Sequence, residues 1–258
     1  MIGIFDSGVG GLYALREARR RMPQADLVYF ADEANLPYGD KDPKTILRLS
    51  RAAVERLADA GATAILAACG TVGSVALPAL QKEFRDLPIL GILDPLAQAV
   101  AAAHRLRGGG ILLLGTRATV QAGVLERKIC SFATHAPLFS LACPGFVPLA
   151  EAGICDPENK QDRAAVAAIL HPATAFPVHV VALGCTHFSC LAPIIRAVMP
   201  RAAIIDGARE GAAAWVHSLP DAAKQGEGTV RYLSSGDPAA LARAAGRVMG
   251  ETKGYAAF

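Results

Sequence analysis

Two stretches, Ala64-Ile65-Leu66-Ala67-Ala68-Cys69-Gly70-Thr71 and Val180-Val181-Ala182-Leu183-Gly184-Cys185-Thr186-His187, share one layout: an apolar run, a cysteine and a hydroxyl residue, followed by a helical pattern. A short run that is apolar at nearly every position reads as a strand buried on both faces, as in a parallel sheet covered by helices. The repeat of the layout points to an internal duplication. Two similar α/β units facing one another would place both cysteines at the carboxyl ends of strands, where open α/β sheets bind their ligands.

Outward from these stretches the same alternation continues. Ile2 to Phe5, Leu27 to Phe30, Thr63 to Ala68, Ile89 to Leu93, Ile111 to Leu114, Val178 to Leu183 and Ala203 to Ile205 read as buried strands, with amphipathic helices between them. Three helices are expected to begin at Asp-Pro pairs, Asp42-Pro43, Asp94-Pro95 and Asp237-Pro238, where aspartate caps and proline sets the first helical dihedral. In the first of these, Ile46, Leu49, Ala53 and Leu57 share a face and Gly61 ends the helix. The fold class is α/β, and Gly108-Gly109-Gly110 is the expected seam between the units.

The 258-residue chain is about half apolar and carries a formal net charge of +3, enough for a sizeable core and one or two domains. Its densest basic run, Arg16 with Arg19, Arg20 and Arg21, lacks interleaved aromatics or a groove-reading motif, so it reads as a solvated helix face and not as a nucleic-acid contact. The N-terminus has no secretory pattern, and no apolar run is long enough to span a bilayer, so a cytoplasmic protein with no membrane partner is expected. The six cysteines should then be reduced thiols.

Paired thiols after strands suit one class of chemistry. One removes a proton from a carbon while the other delivers a proton to the opposite face, and the centre inverts. At a strand-to-helix junction the free N–H groups and the helix dipole are expected to lower each thiol's pKa. The substrate carboxylate needs donors that strengthen as charge moves onto it, and Thr71 and Thr186 are placed for that. Asp6-Ser7-Gly8-Val9-Gly10-Gly11 follows the first strand and can cradle an anion, with Asp6 holding an ammonium or supporting a thiol and Ser7 donating to a carboxylate. Tyr13 stands where a dinucleotide fingerprint needs glycine, and no Gly-Lys-Ser/Thr follows, which argues against nucleotide binding. Cys185, His187 and Cys190 lack the spacing of a metal site. Cys130, Cys143 and Cys155 read as core or loop thiols.

Asp6-Ser7-Gly8-Val9-Gly10-Gly11, Pro37-Tyr38-Gly39, Cys69-Gly70-Thr71, Thr116 with Thr119, Val147-Pro148-Leu149-Ala150-Glu151 and Leu183-Gly184-Cys185-Thr186-His187 closely resemble, in order along the chain, the glutamate racemases of bacterial cell-wall synthesis. The resemblance implies two doubly wound parallel-sheet domains related by pseudo-symmetry, residues 1–95 with 207–258 and residues 96–206, with the site in the cleft between them. It implies no metal and no pyridoxal phosphate, a small carboxylate substrate and a possible homodimer. Cys69 would take the α-proton of D-glutamate and Cys185 that of L-glutamate, with Asp6 assisting the first thiol and Glu151 and His187 the second. Ser7, Tyr38 and Gly39, with Pro37 in the same segment, would receive the side-chain carboxylate, and Thr71 and Thr186 the α-carboxylate. Thr116 and Thr119 match the family's Thr-bearing segment.

Gly70 departs from the pattern, standing where the resembled sequences usually carry asparagine, so that only backbone is offered to the substrate there. Gln121, Val124, Ser189 and Cys190 depart from it around the same cleft. Three functions stay open at this point: glutamate racemisation; racemisation, isomerisation or decarboxylation of another amino acid or small diacid; and non-catalytic carboxylate binding.

Overall fold

The computed structural model describes residues 1–250; residues 251–258 of the expected first domain lie outside the described part. The strands are β1 (Ile2–Asp6), β2 (Leu27–Ala31), β3 (Ile65–Ala67), β4 (Ile89–Gly91), β5 (Gly110–Gly115), β6 (Leu138–Ala142), β7 (Val178–Leu183), β8 (Ala203–Asp206) and β9 (Val230–Ser234). The α-helices are α1 (Leu12–Arg21), α2 (Pro43–Asp59), α3 (Gly70–Val75), α4 (Leu77–Glu83), α5 (Leu93–Arg107), α6 (Arg117–Ala122), α7 (Val124–Phe132), α8 (Phe146–Glu151), α9 (Lys160–Leu170), α10 (Phe188–Val198), α11 (Gly207–Ser218) and α12 (Pro238–Met249).

All strand pairings are parallel, in two sheets ordered β4-β3-β1-β2-β9 and β6-β5-β7-β8. Read from the other edge, the second sheet runs β8-β7-β5-β6, which repeats the β4-β3-β1-β2 order of the first. The duplication expected from the two cysteine stretches is therefore present in the topology, with β3 matched to β7. Each sheet reverses its winding at one point, between β1 and β3 in the first and between β5 and β7 in the second. Such a reversal opens a crevice beyond the carboxyl ends of the strands.

Side-chain alternation divides the core. Ile2 and Ile4 of β1 and Ile111 and Leu113 of β5 join one apolar cluster shared by both sheets, with residues of α1, α5, α7 and α11. Phe5 points to a second cluster under α2 and α4, and Leu112 and Leu114 to a third under α9 and α10. The two halves are thus bound through a common interior.

Two strands escaped the sequence reading. Every residue of β6, and all but Leu233 of β9, is only half-buried, because both are edge strands without a continuous apolar run. The chain's return to the first sheet is made by β9, and the Arg19 guanidinium anchors that return by donating to the carbonyls of Pro23, Ala25 and Thr229. Arg19 is therefore a structural staple, while Arg20 and Arg21 pair with Glu17 on the solvated face.

Asp42 and Asp237 cap α2 and α12 as expected. Asp94 does not cap α5. That helix begins two residues earlier than expected, at Leu93, which puts Asp94 inside the first turn, where it pairs with Lys128. Gly108 and Gly109 adopt positive φ of 63° and 71° between α5 and β5, a conformation that favours glycine. Among the described residues no helix is long and apolar enough to cross a membrane.

Candidate active site

The carboxyl ends of β1, β3, β5 and β7 bring the expected residues together. Asp6 ends β1 and is fully buried. Its Oδ2 accepts from the Gly11 N–H at 2.6 Å and from the Thr186 hydroxyl at 3.0 Å, while its Oδ1 is buried without a partner. Burial raises the Asp6 pKa, although the nearby His187 charge, the Thr186 hydroxyl and backbone donors oppose the rise.

Cys69 follows β3 at the N-cap of α3, and its thiol donates to the Ser7 hydroxyl at 3.6 Å. The expected lowering of its pKa is not found. Burial and the Asp6 carboxylate push the Cys69 thiol up to about 12, outweighing its hydrogen bonds with the Val72 backbone and Ser7. A helix of six residues offers too little dipole to offset removal of a thiolate from water.

Cys185 is not at a helix N-cap. Cys185, Thr186 and His187 form a turn after Gly184, and α10 starts only at Phe188 with His187 as its cap residue. The His187 Nε2 lies 2.6 Å from Glu151 Oε1. Burial works to lower the His187 pKa, but its bonds with Cys185 and Glu151 and the charge of Asp6 hold it well above the usual histidine range. The second thiol therefore has an imidazolium beside it, braced by Glu151 from the end of α8.

Three hydroxyls run across the cleft: Thr71 Oγ1 lies 3.0 Å from Thr116 Oγ1, which lies 3.0 Å from Thr119 Oγ1. Thr116 also caps α6 by accepting from the Thr119 N–H. The Thr186 hydroxyl, expected to hold a substrate carboxylate, is committed to Asp6 in this structure. Pro37 and Gly39, with Thr116, Val147, Pro148 and Glu151, line a cavity of about 170 Å³; neither cysteine lines it. Tyr38 is buried, and its hydroxyl donates to Asp32 at 2.6 Å.

Asp32, which holds the Tyr38 hydroxyl of the candidate site, was not singled out by the sequence reading. It also accepts from Asn35 and Ser235, tying the Pro37-Tyr38-Gly39 segment to the end of β9. Its position just past β2 was the available signal, since β2 lies beside β1 at the carboxyl edge. Gly10 gains meaning as well, because a methyl group there would collide with the His187 backbone nitrogen and ring and with the Thr186 hydroxyl, whereas one at Gly8 would meet the Leu36 side chain and only touch Glu151 and His187.

The model of the Asp/Glu/Hydantoin racemase family matches residues 14–215. This chain belongs to that family. The glutamate racemase of Gloeobacter violaceus is 35% identical over 95% of this chain and 91% of its own length. Among solved structures, a glutamate racemase isoform from Bacillus anthracis superposes with a TM-score of 0.89 at 26% identity, covering 100% of this chain and 97% of that one. The glutamate racemase of Thermus thermophilus in complex with β-chloro-D-alanine superposes at 0.83 with 33% identity, covering 100% and 96%. Within the Asp/Glu racemase family, the two-sheet arrangement of this chain is thus the shared one.

Proposed function

We propose that this chain is a cofactor-independent isomerase that interconverts L- and D-glutamate, supplying the D-enantiomer for peptidoglycan synthesis. One observation carries the reading: the two thiols follow matched strands of a duplicated sheet order, on turns that abut one another. The glutamate racemases it resembles over nearly its whole length support glutamate as the substrate. The two units are residues 1–95 with the returning segment from 207, and residues 96–206.

In the L-to-D direction Cys185, as thiolate, takes the α-proton, and the Cys69 thiol gives its proton to the opposite face. One proton leaves the carbon and one arrives, so the two sulfurs end with exchanged protonation states. The reverse reaction runs the same steps backward. The raised pKa of Cys69 suits the donor state in which the cycle begins. His187, braced by Glu151, is the cation beside the second thiol, and Asp6 faces the first. Thr71 and Thr186 are assigned to the α-carboxylate, with Thr116 and Thr119 extending the hydroxyl row. Binding there requires Thr186 to turn its proton from Asp6 to the substrate. Ser7, Pro37, Tyr38 and Gly39 are assigned to the side-chain carboxylate.

The test is a polarimetric assay on both enantiomers of glutamate, aspartate and alanine with wild type, Cys69→Ser and Cys185→Ser. Racemisation of glutamate alone, lost in each variant, is the expected result; normal turnover in both variants contradicts the two-thiol mechanism. Gly70 favours a second reading, the same chemistry on another amino acid or small diacid, because it leaves only backbone at that position. A panel response that skips glutamate would select it.

A further inference from the structure

The turn that follows α8 and the first turn of α10 each carry a thiol that the proton-transfer pair leaves unused. Cys155 lies a few residues beyond Glu151. Cys190 follows His187 on α10, and its N–H donates to the His187 carbonyl at 3.3 Å. Cys155 and Cys190 line one cavity of about 140 Å³ together with Tyr13 and His187.

The two thiols differ in access. Cys155 is half-buried, on a turn where Gly153 has a positive φ of 74°, and its thiol donates to the Gly153 carbonyl at 3.4 Å. Cys190 is buried. Burial pushes the Cys190 thiol up to about 12; Cys155 adds to the rise, and a hydrogen bond with Tyr13 opposes it. The two sulfurs are thus close enough to act on one another. Cys190 stays a thiol at neutral pH, so an oxidant entering from solvent meets Cys155 first.

We propose that Cys155 and Cys190 form a modification site at which a peroxide closes a disulfide, and that this bond slackens the Glu151–His187 brace beside Cys185. Its effect on turnover rests on the reading of Cys69 and Cys185 as the reacting pair. In the first step the Cys155 sulfur attacks one peroxide oxygen, the O–O bond breaks, and the departing hydroxide takes the Cys155 proton as water. The Cys190 sulfur then attacks the Cys155 sulfenic acid, the S–O bond breaks, and the second hydroxide takes the Cys190 proton. Two thiols lose two electrons, and one peroxide becomes two waters.

A disulfide brings its sulfurs to about 2.05 Å and their Cβ atoms to about 3.5–4.5 Å, closer than unbonded thiols approach. Closing it draws the turn after α8 and the first turn of α10 together across the cavity. Glu151 is the last residue of α8 and His187 caps α10, so that movement acts on the 2.6 Å bond between them. A misplacement of about 1 Å can cost about 10²-fold in rate.

Wild type, Cys155→Ser and Cys190→Ala are reduced, freed of reductant and treated with hydrogen peroxide. Digestion with trypsin and chymotrypsin, which cut after Phe146 and Phe188 among other sites, separates these cysteines from Cys143 and Cys185 for mass spectrometry. The expected result is a Cys155–Cys190 linked peptide in wild type alone, cleaved by dithiothreitol. On glutamate, kcat of oxidised wild type should fall about tenfold further than that of either oxidised variant and recover with dithiothreitol. Without substrate, the His187 imidazole titration followed by NMR should move to lower pH when wild type is oxidised, because Glu151 is one cause of its elevation.

Absence of the linked peptide from oxidised wild type overturns the proposal. So does a linkage that leaves the His187 titration unchanged, or that lowers the kcat of an active enzyme no further than oxidation lowers it in the variants. A wild type that forms the linkage and shifts His187 but racemises no glutamate would refute the functional assignment and leave the redox site standing.

Discussion

The Thr186 hydroxyl donates to Asp6 Oδ2 at 3.0 Å, joining the ends of β1 and β7 across 180 residues of sequence. This bond ties a residue beside Cys185 to the carboxylate that faces Cys69, so each half of the site depends on the other. Replacing Thr186 with valine keeps the volume and removes a donor from a buried, already under-satisfied carboxylate. The expected loss of stability is about 1–3 kcal/mol, measured by urea denaturation. Loss of less than that range, with activity intact, would show that the bond carries little.

Asp6→Asn should separate stability from activity. Burial raises the Asp6 pKa, so the charged carboxylate is disfavoured in the fold and a neutral amide avoids that cost. The variant is expected to melt at or above the wild-type temperature while racemisation falls by about 10². A large drop in melting temperature would mean that the charge itself holds the site together.

Glu151→Gln should reveal the charged state of His187. The folded His187 pKa lies well above its ordinary value of about 6.5, so the stability from its protonation is complete below that pH and is lost as pH rises through the folded pKa. Glu151→Gln removes one cause of the elevation. The gap in melting temperature between wild type and variant should be largest near neutral pH and narrow as the solution becomes alkaline. A gap independent of pH would contradict an imidazolium in the folded protein.

Much of the fold was legible because the inner strands are apolar at nearly every position. Ile111 to Leu114 and Val180 to Leu183 are buried on both faces, and such runs need no tertiary information to be recognised. Strands β6 and β9 are edge strands, whose half-buried pattern, Val230-Arg231-Tyr232-Leu233-Ser234 for example, is hard to tell from a loop. The cysteines, the Asp6-Ser7 turn, Thr71 and Thr186 were singled out from their places after strands, and Thr116 and Thr119 from the family resemblance. The Cys69 pKa was misjudged because position after a strand says nothing about how much water remains. Asp32 was missed because its partners Asn35, Tyr38 and Ser235 converge only in the folded chain. The close approach of Gly70 to the Gly184 carbonyl was not legible, because it exists only once the two halves face each other.

Thr116→Val should interrupt the hydroxyl row between Thr71 and Thr119 and remove the side-chain cap of α6. A lost cap of this kind costs about 1 kcal/mol. Racemisation should show a raised KM for glutamate, read from initial rates, if the row helps hold a carboxylate; an unchanged KM would place the row outside the substrate's reach.

The most direct test of the two-thiol account is α-proton exchange followed by NMR in D₂O, with L- and D-glutamate incubated separately with wild type, Cys69→Ser and Cys185→Ser. The account predicts deuterium at the α-carbon and inversion from both enantiomers with wild type, and loss of inversion in both variants. Absence of α-exchange from either enantiomer with folded wild-type protein would contradict it.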